Sequence, residues 1–348
     1  MDKNAELFIT NFNKNFTGVS STASNVLLEQ KKKYNLKLVG YNLPGGPKAI
    51  SSLQAYALAK KKPDNKPFSI WHVRRNNEMI AALIARDILN LPIKIVFTSA
   101  AQRRHSSFPR WLISKMDTVV ATTKLAADFI PNVGAIIPHG VNTDLFKPSN
   151  NIEKDWQNLG FPGSMGVATI GRIRKEKGTD LFVDTMIEIL PKTKGLTALV
   201  IGKAMREDRY FLDSLRRKVS KAKLKDRIIF TGEIASEKLP KIVRSLSLLI
   251  SLPRYEGFGM TPLEGLSSGV PFVASRTGYF KEFSNEGRCG KVVPIDDTKL
   301  AIEEIEGLLA DKSCRLRMGA AGRRFVERDY SIRKEAKLIN LVYDNLWS

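Results

Sequence analysis

Cysteine and histidine are scarce in this chain: Cys289 and Cys314 are the only cysteines, and three histidines complete the set in 348 residues. With no CxxC spacing, a disulfide framework and a Cys/His zinc site are both argued against, and reducing conditions are the natural setting. No apolar run approaches the ~18 residues of a membrane span. The opening MDKNAELFIT lacks the long apolar core of a secretory signal. The expectation is a soluble, cytoplasmic protein with room for surface attachment to anionic lipid. Acidic residues are in short supply too, 35 Asp and Glu against 56 Lys and Arg, for a net charge of +21. Residues 1–150 hold 21 basic and 9 acidic side chains, net +12, and the remainder holds 35 and 26, net +9. An excess of this size calls for an anionic partner: nucleic acid, phospholipid, an acidic lipid-linked sugar or a nucleotide.

The length suits two domains, each with its own core. Short apolar runs alternate with helical patterns, strands being expected at 6–9, 36–39, 69–73, 93–98, 117–122 and 135–138. After a polar stretch with Pro148, Asn150 and Asn151, read as a linker, the alternation restarts at 166–170, 198–201, 227–230, 248–252, 271–274 and 291–294. Strands alternating with helices predict an α/β fold of two doubly wound, Rossmann-like domains facing a cleft, divided as 1–150 and 151–348, with the last helix free to pack back on the first. In such sheets ligands bind outside the carboxyl ends of the strands.

One stretch carries the densest chemistry. EGFGMTPLE, Glu256 to Glu264, sets two glutamates around a glycine turn directly after an apolar strand. Gly257 and Gly259 allow backbone angles that a Cβ resists. Thr261 stands where an N-cap belongs, Pro262 at the first helical position and Glu264 at the third. A strand, turn and helix of this kind aims unpaired N–H groups and a positive dipole end at one point, which suits a phosphate. A carboxylate on each side could grip hydroxyls. The competing reading is a capping box, in which Glu264 merely satisfies the Thr261 N–H and Glu256 is a solvated loop acid.

Other strand ends add to it. GRIRKEKG, Gly171 to Gly178, places Arg172 and Lys177 on a strand-to-helix loop where two cations could neutralise a diphosphate. TGVSST, Thr17 to Thr22, brings Gly18 to a helix start, where an anion could approach the backbone or Ser and Thr could simply cap. His72, Arg74 and Arg75, then Arg103, Arg104 and His105, stand at the ends of two predicted strands and form a basic rim suited to an acidic acceptor; a buried histidine with solvated arginines is the plainer account. PHGVNTDLF, Pro138 to Phe146, is read as a hinge.

Gly171, Arg172, Lys177 and Gly178, followed by Glu256, Gly257, Phe258, Gly259 and Glu264, resemble the signature of the retaining glycosyltransferases of family 4, which have the two-domain GT-B fold. The resemblance implies that Arg172 and Lys177 hold the donor diphosphate, Glu256 contacts the sugar and Glu264 binds the ribose hydroxyls. The backbone from Phe258 through Met260 to Thr261 would complete the phosphate cradle, with Gly18 approaching from the other domain. NFTGVSST, WHVRRNNEM, VFTSAAQRRH and IPHGVNTDLF further resemble lipopolysaccharide core mannosyltransferases that attach a hexose to the Kdo of a lipid A precursor. Kdo carries a carboxylate and lipid A carries phosphates, so His72, Arg74, Arg75, Arg103, Arg104 and His105 would meet the acceptor.

The implied reaction is transfer from a nucleotide sugar, GDP-mannose, with retention and with neither metal nor cofactor, at the inner face of the cytoplasmic membrane. Many members carry a histidine after the fourth strand; here that position reads Thr98, Ser99, Ala100, Ala101, and His72 or His105 could fill the space. The rivals are a glycosyltransferase acting on another lipid or glycan acceptor, a sugar-nucleotide epimerase of the same architecture, separable by product analysis without acceptor, and a basic nucleic-acid-binding protein. The last lacks a recognisable RNA or DNA module, so nucleic acid is not expected as a partner.

Overall fold

The computed structural model describes residues 4–15 and 17–348. They divide into two units, Met1–Asn142 with Tyr330–Ser348, and Thr143–Asp329. The boundary therefore lies earlier than the expected 150/151. The stretch that reads as a linker is structured within the second unit: Pro148 lies over Gly269, and Asn151 caps a helix by accepting from the Lys154 N–H. Asn and Pro in series fit a helix entrance as well as a tether.

In the first unit six parallel strands, β1 (Leu7–Asn11), β2 (Leu36–Gly40), β3 (Ser69–Val73), β4 (Ile93–Ser99), β5 (Thr118–Ala121) and β6 (Val133–Ile136), lie in the order β2-β1-β3-β4-β5-β6. Between them run α1 (Gly18–Gln30), α2 (Ser52–Ala59), α3 (Asn76–Leu83), α4 (Ser107–Ser114) and α5 (Lys124–Ala127), with α3 continuing into a π-helical turn at Ile84–Ile88. Successive strand residues feed two cores: Leu7 and Ile9 pack on the α1 side, Phe8 on the side of α2, α3 and α4. Because both faces are covered, such strands read as unbroken apolar runs.

The second unit repeats the plan with β7 (Met165–Ile170), β8 (Leu196–Ile201), β9 (Ile228–Gly232), β10 (Leu248–Ser251), β11 (Phe272–Ser275) and β12 (Gly290–Val293), in the order β12-β11-β10-β7-β8-β9. Its helices are α6 (Ile152–Asn158), α7 (Thr179–Ile189), α8 (Arg209–Lys221), α9 (Leu239–Val243), α10 (Met260–Ser267), α11 (Phe280–Ser284), α12 (Thr298–Ala310) and α13 (Lys312–Asp329). All twelve expected strands are present, their ends within two residues of the expectation. The chain starts mid-sheet at β7, winds outward to β9, then returns to lay β10 beside β7. The β7/β10 pair is thus the reversal point, where a crevice opens at the carboxyl ends.

The last helix, α14 (Ile332–Trp347), belongs to the first unit. Ile339, Tyr343 and Trp347 enter the α1-side core, each large apolar side chain contributing roughly 1.5–3 kcal/mol by its burial. Its entry is fixed by the Gly140 N–H donating to Glu335 at 2.7 Å and by His139 Nδ1 meeting the same carboxylate at 2.8 Å. A Cβ at Gly140 would fall 2.5 Å from the Ser331 carbonyl oxygen, so the approach requires glycine. His139 and Gly140 of the expected hinge thus anchor the C-terminal helix. Among the described residues no helix is long and apolar enough to cross a membrane.

Candidate active site

The loop after β7 and the turn after β10 leave neighbouring strands and are tied by backbone, the Arg254 N–H (2.8 Å) and Tyr255 N–H (3.4 Å) both donating to the Glu176 carbonyl. Gly178 makes this approach available. Its φ is +65°, and a Cβ there would fall 1.7 Å from the Leu252 carbonyl oxygen. Arg254 then clamps the two segments, with two 2.9 Å bonds to the Asp180 carboxylate and a 2.7 Å bond to the Lys175 carbonyl. The Asp180 carboxylate, helped by Asp296, holds its guanidinium above the usual value. Sequence reasoning passed over Arg254, although a cation just before the glutamate turn was a usable signal.

With the loops joined, Lys177 Nζ meets Glu256 Oε2 at 2.5 Å, and Glu256 Oε1 accepts from the Gly257 N–H at 3.0 Å. Arg172 is exposed on the same loop and makes no hydrogen bond or ion pair with a described residue. One cation is therefore held ready by a carboxylate, and a second is unengaged.

Helix α10 departs from expectation. It begins at Met260, and its N-cap is Gly259, at φ +92° with no side-chain cap, rather than Thr261. The reason is the anchoring of the turn: Phe258 stacks on Tyr279 with ring centroids 5.5 Å apart and abuts Phe283 at 5.3 Å. A Cβ at Gly259 would lie 2.0 Å from the Phe280 ring. Phe258 is only 4% exposed, so its side chain belongs to the core and only its backbone faces the turn. The N–H groups of Met260 and Thr261, in the first turn, have no intrahelical acceptor and sit at the positive dipole end.

The shifted start removes the capping box. Glu264 lies more than a turn into α10, and its side chain makes no hydrogen bond or ion pair among the described residues. Burial pushes its carboxyl up to about 7. The residue keeps some accessible surface, so the group is desolvated by its surroundings yet reachable. With no partner among the described residues, its oxygens are open to hydrogen bonds from a ligand hydroxyl. On the far side, Gly278 at φ +57° closes on Glu256, a Cβ there falling 3.0 Å from Glu256 Cγ. Its neighbour Thr277 has a buried hydroxyl with no hydrogen-bond partner, a polar group that no motif announced.

In the first unit the six residues expected on the acceptor rim divide. His72 is fully buried at the end of β3, its Nδ1 2.5 Å from the Tyr343 hydroxyl and its Nε2 2.6 Å from Thr98 Oγ1. Burial, with Arg74 nearby, holds it well below the usual histidine range. The expectation of acceptor contact by His72 is corrected: it is a neutral core histidine that also occupies the space beside Thr98. Arg75 is corrected likewise. It is spent on the buried Glu78 (2.8 Å), Asn11 (3.2 Å) and Ser20 (3.0 Å). Glu78 in turn accepts from Thr10, the Phe12 N–H and the Arg74 N–H, making it the knot of the loops after β1 and β3.

Arg74 keeps a buried Nη1 with no hydrogen-bond partner, and burial lowers its pKa. Arg103, Arg104 and His105 line an open pocket of about 470 Å³ with Asn76, Ser106 and Pro109. His105 Nε2 is buried there and unpartnered, and burial together with Arg103 lowers the imidazole pKa. Gly18 opens α1, with Thr17 as a weak N-cap at 3.4 Å from the Ser20 N–H and nothing within 4 Å of where a Cβ would stand. Phe16 of the same stretch lies outside the described residues.

Two parallel six-stranded α/β units in one chain, the second with an unpaired carboxylate, two cations and an uncapped helix start at its reversal point, define the GT-B class of glycosyltransferases. A crystal structure of Anabaena Alr3699/HepE in complex with UDP and glucose shares this fold, with a TM-score of 0.82 over 98% of this chain and 99% of that one at 14% identity. Residues 151–325 match the family Glycosyl transferases group 1. The chain belongs to this family. It is similar to the lipopolysaccharide core biosynthesis mannosyltransferase LpsB of Rhizobium meliloti, 35% identical over 99% of this chain and 98% of that protein. Mannosyltransferase LpcC of Rhizobium leguminosarum bv. viciae is 36% identical over 99% and 97%.

Proposed function

We propose that this protein moves mannose from GDP-mannose, with retention of configuration and without a metal, to the Kdo of a lipid A precursor during lipopolysaccharide core synthesis. It would work as a peripheral protein at the inner face of the cytoplasmic membrane. The observation that carries the reading is the desolvated, unpartnered Glu264 on the helix that directly follows the turn of the Lys177–Glu256 pair. The names and near full-length similarity of the two rhizobial relatives support mannose as the transferred sugar and the lipopolysaccharide core as its destination.

In this reading Arg172, Lys177 and the first N–H groups of α10 receive the diphosphate and stabilise the charge that builds on it as the sugar leaves. Glu264 accepts the ribose hydroxyls, and Glu256 orients the sugar. No side chain is assigned as a covalent nucleophile. Arg74 and the pocket of Arg103, Arg104 and His105 receive the acceptor's carboxylate and phosphates, charge-assisted contacts that arginine makes well.

The test is a thermal-shift panel of nucleoside diphosphates and nucleotide sugars, then transfer assays with a Kdo-bearing lipid A precursor, with and without EDTA. Stabilisation by GDP and GDP-mannose, EDTA-resistant transfer and an unchanged anomeric configuration by NMR are expected. Inversion, a metal requirement, or turnover of the donor to an epimer without acceptor would refute it.

A further inference from the structure

The helices on one face of the first sheet have two apolar sides. Ala55 and Ala59 of α2, Met79 and Ala82 of α3, and Leu112 and Ile113 of α4 point into the core. On the solvent side α3 and its π-helical turn present Ile80, Ile84 and Ile88, four residues apart and 38%, 36% and 69% exposed. Helix propensity gives no reason for isoleucine at a solvent position. Helix α2, joined to α3 by the Tyr56 hydroxyl donating to the Ala81 carbonyl at 3.0 Å, adds Leu53 at 78%. Helix α4 adds Phe108 and Trp111, both about half exposed, their rings stacked 6.1 Å apart. Large apolar side chains exposed together on neighbouring helices, rather than singly, point to an interaction site.

Charge selects the partner. Lys60, Lys61 and Lys62 are exposed at the end of α2, Arg103 and Arg104 before α4, and Lys115 after it. Of the acids on α3 and its extension, Glu78 is buried and Asp87 is paired with Arg86. A second copy of the chain would bring its own +21 against this one. Aromatic and aliphatic side chains interleaved with lysine and arginine have the composition of a contact with an anionic bilayer. We propose that the outer face of α2, α3 and α4 docks on anionic lipid, with Phe108, Trp111 and the isoleucines at the acyl boundary and the lysines among the headgroups. This gives the membrane contact of the proposed function a location and rests on that reading for its acceptor; the pocket of Arg103, Arg104 and His105 lies at the start of α4, beside the aromatic pair.

The experiment is flotation of the full chain with phosphatidylcholine vesicles and with vesicles containing phosphatidylglycerol, at low and high salt. Binding to the anionic vesicles alone, weakened by salt, is expected. The Phe108→Ser/Trp111→Ser and Ile84→Ser/Ile88→Ser pairs should each lower partitioning about ten-fold or more. Lys60→Ala/Lys61→Ala/Lys62→Ala should lower it on the order of a hundred-fold at low salt. All three should keep the wild-type melting transition and turnover of a deacylated, soluble acceptor. Equal binding to neutral vesicles, wild-type partitioning in all three variants, or a dimer dispersed by Ile84→Ser/Ile88→Ser would overturn the proposal, the last assigning the face to a second copy. Vesicle binding that follows these expectations in a protein without transferase activity would leave this surface standing and remove the proposed reaction.

Discussion

Replacing Glu264 with glutamine keeps the shape of the side chain and removes its titration. Burial raises this carboxyl from 4.5 to about 7. At about 1.36 kcal/mol per pH unit, the folded protein prefers the protonated group by ~3 kcal/mol, a ceiling because the residue keeps some contact with water. The sign follows from the raised value: the stabilisation is fully present below 4.5 and is lost as the pH climbs through about 7. Wild type should therefore lose stability over that window while Glu264→Gln does not, the gap growing by up to ~3 kcal/mol and then staying level.

Urea unfolding of the second unit reports this, read from the fluorotryptophan NMR signal of Trp156, the tryptophan that unit contains. Nucleotide binding should show the reverse preference. Ribose hydroxyls donating to the carboxylate favour its ionised form, so binding near neutral pH releases protons from wild type and not from Glu264→Gln, measurable by calorimetry in buffers of different ionisation enthalpy. Parallel stability profiles for the two proteins, or identical proton release, would refute the assignment of Glu264 as a desolvated ligand-gripping group.

Gly178→Ala combines a left-handed backbone with a clash against the Leu252 carbonyl; it should cost more than ~3 kcal/mol in the second unit and abolish nucleotide binding by calorimetry. Lys177→Ala should lower kcat/KM by about a hundred-fold or more while the melting transition is retained. Arg75→Ala leaves the buried Glu78 without its cation, so the first unit should lose roughly 3 kcal/mol in chemical denaturation, with no selective change in acceptor KM. Arg103→Ala/Arg104→Ala should raise the acceptor KM and spare the thermal shift given by the nucleotide; equal loss of both would count against the pocket as an acceptor site.

Strand positions were legible because the central strands are apolar on both faces and the strands are bounded by turn residues, a local property of the chain. The strand at Ser69–Val73 and the one opening EGFGMTPLE needed no tertiary information. The glutamate turn and the basic loop stood out as strand-end segments too, since glycine directly after an apolar run marks a tight turn. What local pattern left open was which polar groups are spent on the fold. His72 and Arg75 carry the same sequence signal as Arg103 and Arg104, yet burial commits the first two to Tyr343, Thr98 and Glu78.

Composition and periodicity by themselves determined two α/β layers, a basic protein and the segments that bear its chemistry, because those depend on residue type and spacing. Tertiary structure decided the rest. It brought Lys177 to Glu256 across 79 positions, moved the start of α10 to Met260 by seating Phe258 in an aromatic cluster, and returned α14 to the first unit. Each is a contact between segments distant in the chain, and the energy that sets it is packing and desolvation, which no window of sequence contains.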